Sequence, residues 1–136
     1  MHFLIFLSCL VSSPALSLTL VAHRGVHQGF SKANLTADSC TALQSVPPEH
    51  DYLENTVPSI LRAFELEADT VEIDVHPTAP SDPDGERLVV FHDWTLDCRT
   101  EARCENGCQC SQEKTCVTDQ QTWSYMKNLD VGYGYT

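Results

Sequence analysis

Basic residues are scarce in this sequence of 136 residues, which has 8 lysines and arginines against 19 aspartates and glutamates and a formal net charge of −11. A nucleic-acid-binding surface needs clustered lysine and arginine, so the composition argues against DNA or RNA as a partner. An anionic ligand would meet an unfavourable overall field. It would therefore need local positive charge from an arginine or a bound metal ion.

The sequence also lacks an apolar run of the roughly 20 residues that a membrane-spanning helix needs. The apolar run Phe3–Val11 is followed by Ser12-Ser13-Pro14 and the small-residue exit Ala15-Leu16-Ser17, which is typical of a secretory signal peptide. No lysine or arginine precedes the run, so an uncleaved anchor or a misassigned start codon is the competing interpretation. We predict a signal peptide over residues 1–17, export to the periplasm or the extracellular space, and no stable membrane span after cleavage.

Paired C-x2-C knuckles, the usual mark of a structural zinc site, are missing as well. Apart from Cys9 in the predicted signal peptide, the sequence has an even number of cysteines, which suits disulfides in an exported chain. They are Cys40, Cys98, Cys104, Cys108, Cys110 and Cys116. We therefore predict disulfides rather than a zinc site, and all fifteen possible pairings stay open.

The hydrophobic pattern predicts short strands and two helices, with no internal repeat. The predicted series begins with a strand at 17–22 and a loop at 25–55, followed by a helix capped by Thr56 with Pro58 in its first turn. A strand at 70–75, a turn-rich connection at 77–86 and a strand at 87–91 come next. A cysteine-rich insertion at 97–117 then leads to a helix that is opened by a capping box of Thr118 and Gln121 and reaches about Asn128. A strand–helix–strand unit implies a right-handed crossover and a parallel pair, so the fold class is α/β.

Side chains suited to phosphate chemistry stand near the ends of three predicted strands. His23-Arg24 follows the first strand and His92 the third; histidine exchanges protons near neutral pH, and arginine binds phosphate through two N–H groups. Glu72 and Asp74 share one face of the second strand, because strand side chains alternate. Such a pair needs either a hard cation such as Ca²⁺ or Mg²⁺, or solvent on an antiparallel strand with one wet face.

For the remaining polar residues near these motifs, the sequence predicts structural or surface positions rather than a role in the site. Glu54 precedes the first helix, and we expect a capping role for it rather than a site role. His27, His50 and His76 have no comparable placement at strand ends, and we expect them on the surface.

Five motifs follow one another along the chain: A-H-R-G at 22–25, E-N-T at 54–56, V-E-I-D-V at 71–75, L-V-V-F-H-D at 88–93 and L-x-x-R-T at 96–100. From about Leu20 to Thr100 this ordered series resembles the N-terminal half of the glycerophosphodiester phosphodiesterase family. One departure is Glu67-Ala68-Asp69, where the family normally has Gly-Ala-Asp. The cysteine-rich insertion at 97–117 lies where the family often carries a variable small subdomain.

The resemblance implies a TIM-type (β/α)8 barrel that hydrolyses small-molecule glycerophosphodiesters to an alcohol and glycerol 3-phosphate. It implies that His23 and His92 are the acid/base pair and that Arg24 binds the substrate phosphate. Glu72 and Asp74 would hold one divalent cation, Ca²⁺ or Mg²⁺.

Residues 18–136 are far fewer than the roughly 250 of a complete barrel. We therefore expect the N-terminal portion of the barrel, with a third metal ligand beyond residue 136, which leaves the activity of this chain by itself open. A phospholipase D-like relative acting on lipid headgroups and a truncated, disulfide-bonded module that binds a metal or partner without turnover are the alternatives. The sequence carries no signal for an oligomeric state.

Overall fold

The structure, a computed structural model, describes residues 18–36, 39–40 and 49–133. The predicted signal peptide, residues 1–17, lies outside them. The regular elements are β1 (Val21–His23), α1 (Val57–Glu65), β2 (Thr70–Glu72), β3 (Val75–Pro77), β4 (Leu88–Val90) and α2 (Trp123–Met126), with 3₁₀ turns at Leu96–Cys98, Cys104–Asn106 and Thr118–Gln120.

None of the helices described is long and apolar enough to cross a membrane.

The first strand–helix–strand unit forms, although its first strand is Val21–His23 rather than the predicted 17–22. β1 and β2 pair in parallel, with Val21 opposite Thr70 and His23 opposite Glu72. The connecting helix α1 begins where the sequence places it, because the Thr56 hydroxyl accepts a hydrogen bond from the Ser59 N–H. The parallel pairing brings the carboxyl ends of β1 and β2 to the same edge of the sheet.

The strand predicted at 70–75 is wrong in extent, since β2 ends at Glu72 and β3 begins at Val75 in a second sheet. Asp74 leaves the strand because its backbone N–H donates to the Asn55 side-chain oxygen at 3.2 Å. Beyond this break β3 pairs antiparallel with β4.

The helix predicted from Thr118 to about Asn128 is also wrong in its bounds. A 3₁₀ turn occupies Thr118–Gln120, and α2 begins only after Thr122, whose hydroxyl is the N-cap. The predicted capping box fails because the Gln121 side chain bonds elsewhere: it donates to the Gln109 carbonyl at 2.7 Å and accepts from the Gln109 N–H at 2.9 Å.

The prediction of disulfides is confirmed by three bonds, Cys40–Cys98, Cys104–Cys110 and Cys108–Cys116. The sulfurs of Cys108, Cys110 and Cys116 lie within 4.8 Å of one another, but each belongs to a disulfide and none is the thiolate that zinc requires. An antiparallel bridge between Thr95 and Val117 joins the two ends of the insertion.

The buried apolar core lies largely within the insertion, with Tyr125, Met126 and Leu129 packed against it. Its members are Phe91, Leu96, Ala102, Cys108 and Cys116. The described strands form two two-stranded sheets. The structure is therefore a small mixed α/β unit stabilised by disulfides, and the barrel stays a prediction.

Candidate active site

The parallel pairing of β1 and β2 places the first predicted histidine beside the first predicted carboxylate. His23 and Glu72 are register partners, and Nε2 of His23 lies 3.8 Å from Oε2 of Glu72. Both side chains are solvent-accessible, with 63% and 44% of their surface exposed. A ligand arriving from solvent can therefore reach both.

Arg24 turns the chain sharply after β1 and sends its side chain into a cluster of acids. Its φ of 62° is left-handed, and its N–H donates to the Glu72 carbonyl at 2.9 Å. The guanidinium Nη1 lies 3.3 Å from Oε1 of Glu54. Its Nε lies 2.9 Å from Oδ2 of Asp74, an ion pair in which the N–H is not aligned for a hydrogen bond.

Asp74 is held in place by Asn55, the residue before the N-cap of α1. The Asn55 amide donates to Oδ2 of Asp74 at 3.0 Å and accepts from the Asp74 N–H. The Asp74 carbonyl in turn accepts the Phe91 N–H at 3.1 Å. This contact brings the end of β4, and with it His92, to the edge where β1 and β2 end.

His92 is joined to the same cluster through Asp93. Nδ1 of His92 lies 2.7 Å from Oδ1 of Asp93, and Nε of Arg99 donates to Oδ2 of Asp93 at 2.7 Å. Nη2 of Arg99 lies 3.3 Å from Oε1 of Glu54. We call the connected residues the ion-pair network: Arg24, Glu54, Asp74, Asp93 and Arg99, with His92 attached.

The structure thus places four of the five predicted site residues in two linked contacts, His23 with Glu72 and Arg24 with Asp74. His92 joins them through the ion-pair network. A small cleft lined by Glu54, His92 and Arg99, among others, opens beside it.

Two of the structural interpretations made from sequence are wrong. Thr56, not Glu54, caps α1, and Glu54 instead contacts two arginines. His76 is buried, with only 7% of its surface exposed. Its Nε2 donates to the His92 carbonyl at 2.9 Å, and its ring lies 4.1 Å from that of Trp94.

Sequence reasoning also gave no role to Asp93 or Arg99, although both lie inside quoted motifs. Six positions separate them, and the 3₁₀ turn Leu96–Cys98 brings them together. In the sequence, an arginine six positions after a histidine–aspartate pair is a usable signal for an ion pair with that aspartate. Only the fold, however, shows which carboxylates the arginine contacts.

A comparison with known families now decides what kind of protein carries this site. The model of the Glycerophosphoryl diester phosphodiesterase family matches residues 27–136, a range that includes Glu54, Glu72, Asp74 and His92. The chain belongs to this family. Phosphodiesterases of the family are typically dependent on a divalent metal and act on small-molecule phosphodiesters.

The match to the family model begins three residues after Arg24. The placement of His23 and Arg24 in the site therefore rests on the geometry described above. A search of the curated proteins found no match.

The donor set at the strand edge fits the metal that the family implies. Glu72 and Asp74 offer carboxylate oxygens, the ligands that Ca²⁺ and Mg²⁺ prefer, and their side chains are 44% and 25% exposed. Arg24 and Asn55 contact the same oxygen of Asp74, Oδ2. Among the described residues, neither Glu72 nor Asp74 belongs to a group of three carboxylate, histidine or cysteine side chains whose ligand atoms lie within 4.8 Å of one another, so water or substrate oxygens would fill further positions.

Proposed function

We propose that this chain is the N-terminal portion of an exported, TIM-type hydrolase that cleaves glycerophosphodiesters to an alcohol and glycerol 3-phosphate with a divalent cation. Family membership supports phosphodiester hydrolysis. The three disulfides suit an oxidising compartment. Exposed apolar side chains on the strands, among them Leu88, Val75 and Val90, are what strands of a barrel covered on both faces would present in isolation.

One observation carries the proposal. Residues chosen from separate motifs for proton transfer, phosphate binding and metal binding lie at one edge of the strands and are connected there. The His23–Glu72 and Arg24–Asp74 contacts and the His92–Asp93 pair are the three links.

The charge of the site explains why a cation is needed. In the ion-pair network two arginines face three carboxylates, so the network carries a net negative charge and repels a phosphodiester. We assign Glu72 and Asp74 as the protein ligands of the cation, which would offset that charge and polarise the phosphoryl oxygens. Arg24 already contacts Glu54 and Asp74 through Nη1 and Nε. Its remaining Nη2 is the group assigned to the substrate phosphate.

Proton transfer is assigned to the two histidines. Asp93 at Nδ1 of His92 favours the tautomer in which Nδ1 carries the proton, so Nε2 of the neutral ring is the atom that takes a proton from the nucleophile. His23, whose side chain is 63% exposed, is assigned the complementary role of donating a proton to the leaving oxygen.

The catalytic assignment is tested in the full-length protein by release of glycerol 3-phosphate from glycerophosphocholine. We expect His23→Ala and His92→Ala each to lower kcat by at least about 10²-fold, the smaller end of what a positioned acid or base contributes. His27→Ala is the matched control, since this histidine is exposed and lies only four positions from His23. Near-normal kcat in His92→Ala together with a loss in His27→Ala would place the site elsewhere.

The metal assignment is tested by Glu72→Gln, with Glu65→Gln on the exposed face of α1 as control. We expect Glu72→Gln to abolish chelator-sensitive activity and the rise in Tm on adding Ca²⁺ or Mg²⁺, because a ligand that binds the folded state stabilises it. The Tm without metal should stay nearly unchanged. A metal-dependent rise in Tm that survives in Glu72→Gln would remove this residue from the ligand set.

A further inference from the structure

Arg99 is the most deeply buried charged side chain of the ion-pair network. It follows the 3₁₀ turn Leu96–Cys98, and its side chain is only 6% exposed. Its neighbour Cys98 forms the disulfide to Cys40, which attaches this turn to the loop before α1. A guanidinium buried to this degree must be matched by carboxylates. Arg99 contacts two carboxylates, those of Asp93 and Glu54.

The first contact fixes the partner of the catalytic histidine. Asp93 offers Oδ1 to His92 at 2.7 Å and Oδ2 to Nε of Arg99 at 2.7 Å. With both oxygens engaged, the carboxylate plane cannot rotate freely. The imidazole that bonds to Oδ1 is then held in one orientation, as second-layer partners hold reactive side chains in other sites.

The second contact reaches the phosphate-binding arginine. Oε1 of Glu54 lies 3.3 Å from Nη2 of Arg99 and 3.3 Å from Nη1 of Arg24. Glu54 is thus shared, and Arg99 draws part of its charge away from Arg24. Without Arg99, Glu54 would pair with Arg24 alone, and Arg24 would bind an anion more weakly.

We infer that Arg99 is a positioning residue, which fixes His92 through Asp93 and Arg24 through Glu54 in one rigid arrangement. The inference rests on the proposed function, because it presumes that His92 moves a proton and that Arg24 binds phosphate. The planar fork of arginine holds its N–H donors in a fixed geometry that reaches two carboxylates at once, whereas the compact ammonium group of lysine has no such fixed geometry.

The kinetic test compares Arg99→Ala and Arg99→Lys with Arg103→Ala in the assay with glycerophosphocholine. Arg103 is the matched control, since it lies near the same turn but donates to the backbone carbonyls of Asp97, Thr100 and Ala102 rather than to carboxylates. We expect Arg99→Ala to lower kcat by about 10–100-fold, the usual scale for such partners. Arg99→Lys should recover only part of this loss. Added guanidinium ion should restore activity to Arg99→Ala and leave Arg103→Ala unaffected.

A second measurement does not depend on turnover. The proton shared by Nδ1 of His92 and Asp93 should give a low-field NMR signal, assigned by its loss in His92→Ala. We expect the signal in the wild type and Arg103→Ala and its broadening or loss in Arg99→Ala.

The two measurements separate the inference from the proposed function. A signal that depends on Arg99 in a protein that does not cleave glycerophosphodiesters keeps the positioning role and overturns the proposed function. A signal and a kcat that both survive Arg99→Ala overturn the inference. Equal kinetic losses in Arg99→Ala and Arg103→Ala, with no guanidinium rescue, overturn it too.

Discussion

Gly25 shows at the scale of one residue how tightly the strand end is packed. It follows the left-handed Arg24 with a φ of 81° of its own. A Cβ on Gly25 would overlap the Ser59 hydroxyl and lie 2.8 Å from the Ser59 carbonyl carbon. Ser59 is fully buried in α1 and donates to the Arg24 carbonyl at 3.0 Å. The glycine is therefore what lets α1 approach the turn that carries Arg24.

Gly25→Ala should be clearly more destabilising than Gly85→Ala. Both glycines have a φ of 81°, but nothing lies within 4 Å of a Cβ on Gly85. Each substitution costs about 1–2 kcal/mol for a left-handed side chain, and Gly25→Ala adds about 1–3 kcal/mol for overpacking. Urea unfolding measures the difference, and equal losses would show that the packing against Ser59 carries no energy.

At the scale of elements, the end of α1 contains a residue in an unfavourable backbone conformation. Glu67 has a φ of 66°, and the bonds from the Glu67 N–H to the Phe64 carbonyl and from the Ala68 N–H to the Ala63 carbonyl form a Schellman motif. Glycine is the preferred residue at this left-handed position. Glutamate stands here where the family normally has glycine, so the chain adopts a left-handed conformation with a side chain that disfavours it.

Glu67→Gly should therefore stabilise the protein, by about 1 kcal/mol, because it removes the left-handed penalty. Glu67→Ala is the control, since it removes the same charge but keeps a Cβ. Thermal unfolding of the three proteins decides between backbone and charge. A gain in Glu67→Ala as large as that in Glu67→Gly would contradict the backbone explanation.

The turn between β3 and β4 is attached to α2 through one buried carboxylate. Asp82 accepts the Trp123 N–H on Oδ2 at 2.6 Å and the Asp84 N–H on Oδ1 at 3.0 Å. The Trp123 N–H holds the pKa of Asp82 below its ordinary value of 3.8 against the opposing effect of burial, with further lowering from Asp84, Thr78 and Arg87. A lowered pKa stabilises the fold above the unfolded value, and this stability is lost as the pH falls through the folded pKa.

Asp82→Asn should lower stability at pH 7, because an amide cannot accept both N–H groups. The difference in stability between the variant and the wild type should shrink as the pH falls below 3.8, because the wild-type carboxyl then becomes protonated and, like the asparagine amide, carries no charge. Asp84→Asn is the control, because the Asp84 contact comes from its backbone. Thermal unfolding from pH 2 to pH 7 measures the difference, and a gap that does not change with pH would rule out the ionised carboxyl as its source.

Local signals predicted those elements whose causes are local. Thr56 with Pro58 predicted the start of α1, and the continuous apolar run Leu88–Phe91 predicted β4 within one residue at each end. The breaks at Asp74 and Gln121 depend on Asn55 and Gln109, partners distant in sequence. A prediction from neighbouring residues in the sequence therefore cannot include those contacts.

At the scale of the whole molecule, the same distinction separates the predicted site residues from the network that joins them. His23, Arg24 and His92 could be read from the sequence because each stands where an apolar run ends. The contacts of Glu54 with Arg24 and Arg99 could not. They depend on how the loop before α1, the end of β1 and the turn after β4 meet in space. Cys40–Cys98 crosses this same junction.

The disulfides should therefore differ in what they contribute. Cys40–Cys98 spans 58 residues and Cys104–Cys110 only 6. By the chain-entropy relation these loops correspond to about 4 and about 2 kcal/mol. We expect Cys40→Ser/Cys98→Ser to lose more stability in urea than Cys104→Ser/Cys110→Ser, and to lose kcat as well, because the turn that carries Arg99 is released.

The oxidation state of the cysteines can be measured by alkylation and mass spectrometry. We expect the six cysteines from Cys40 to Cys116 to resist alkylation, because each is bound in a disulfide. Free thiols with stoichiometric zinc would contradict both the disulfide pairing and the proposed export.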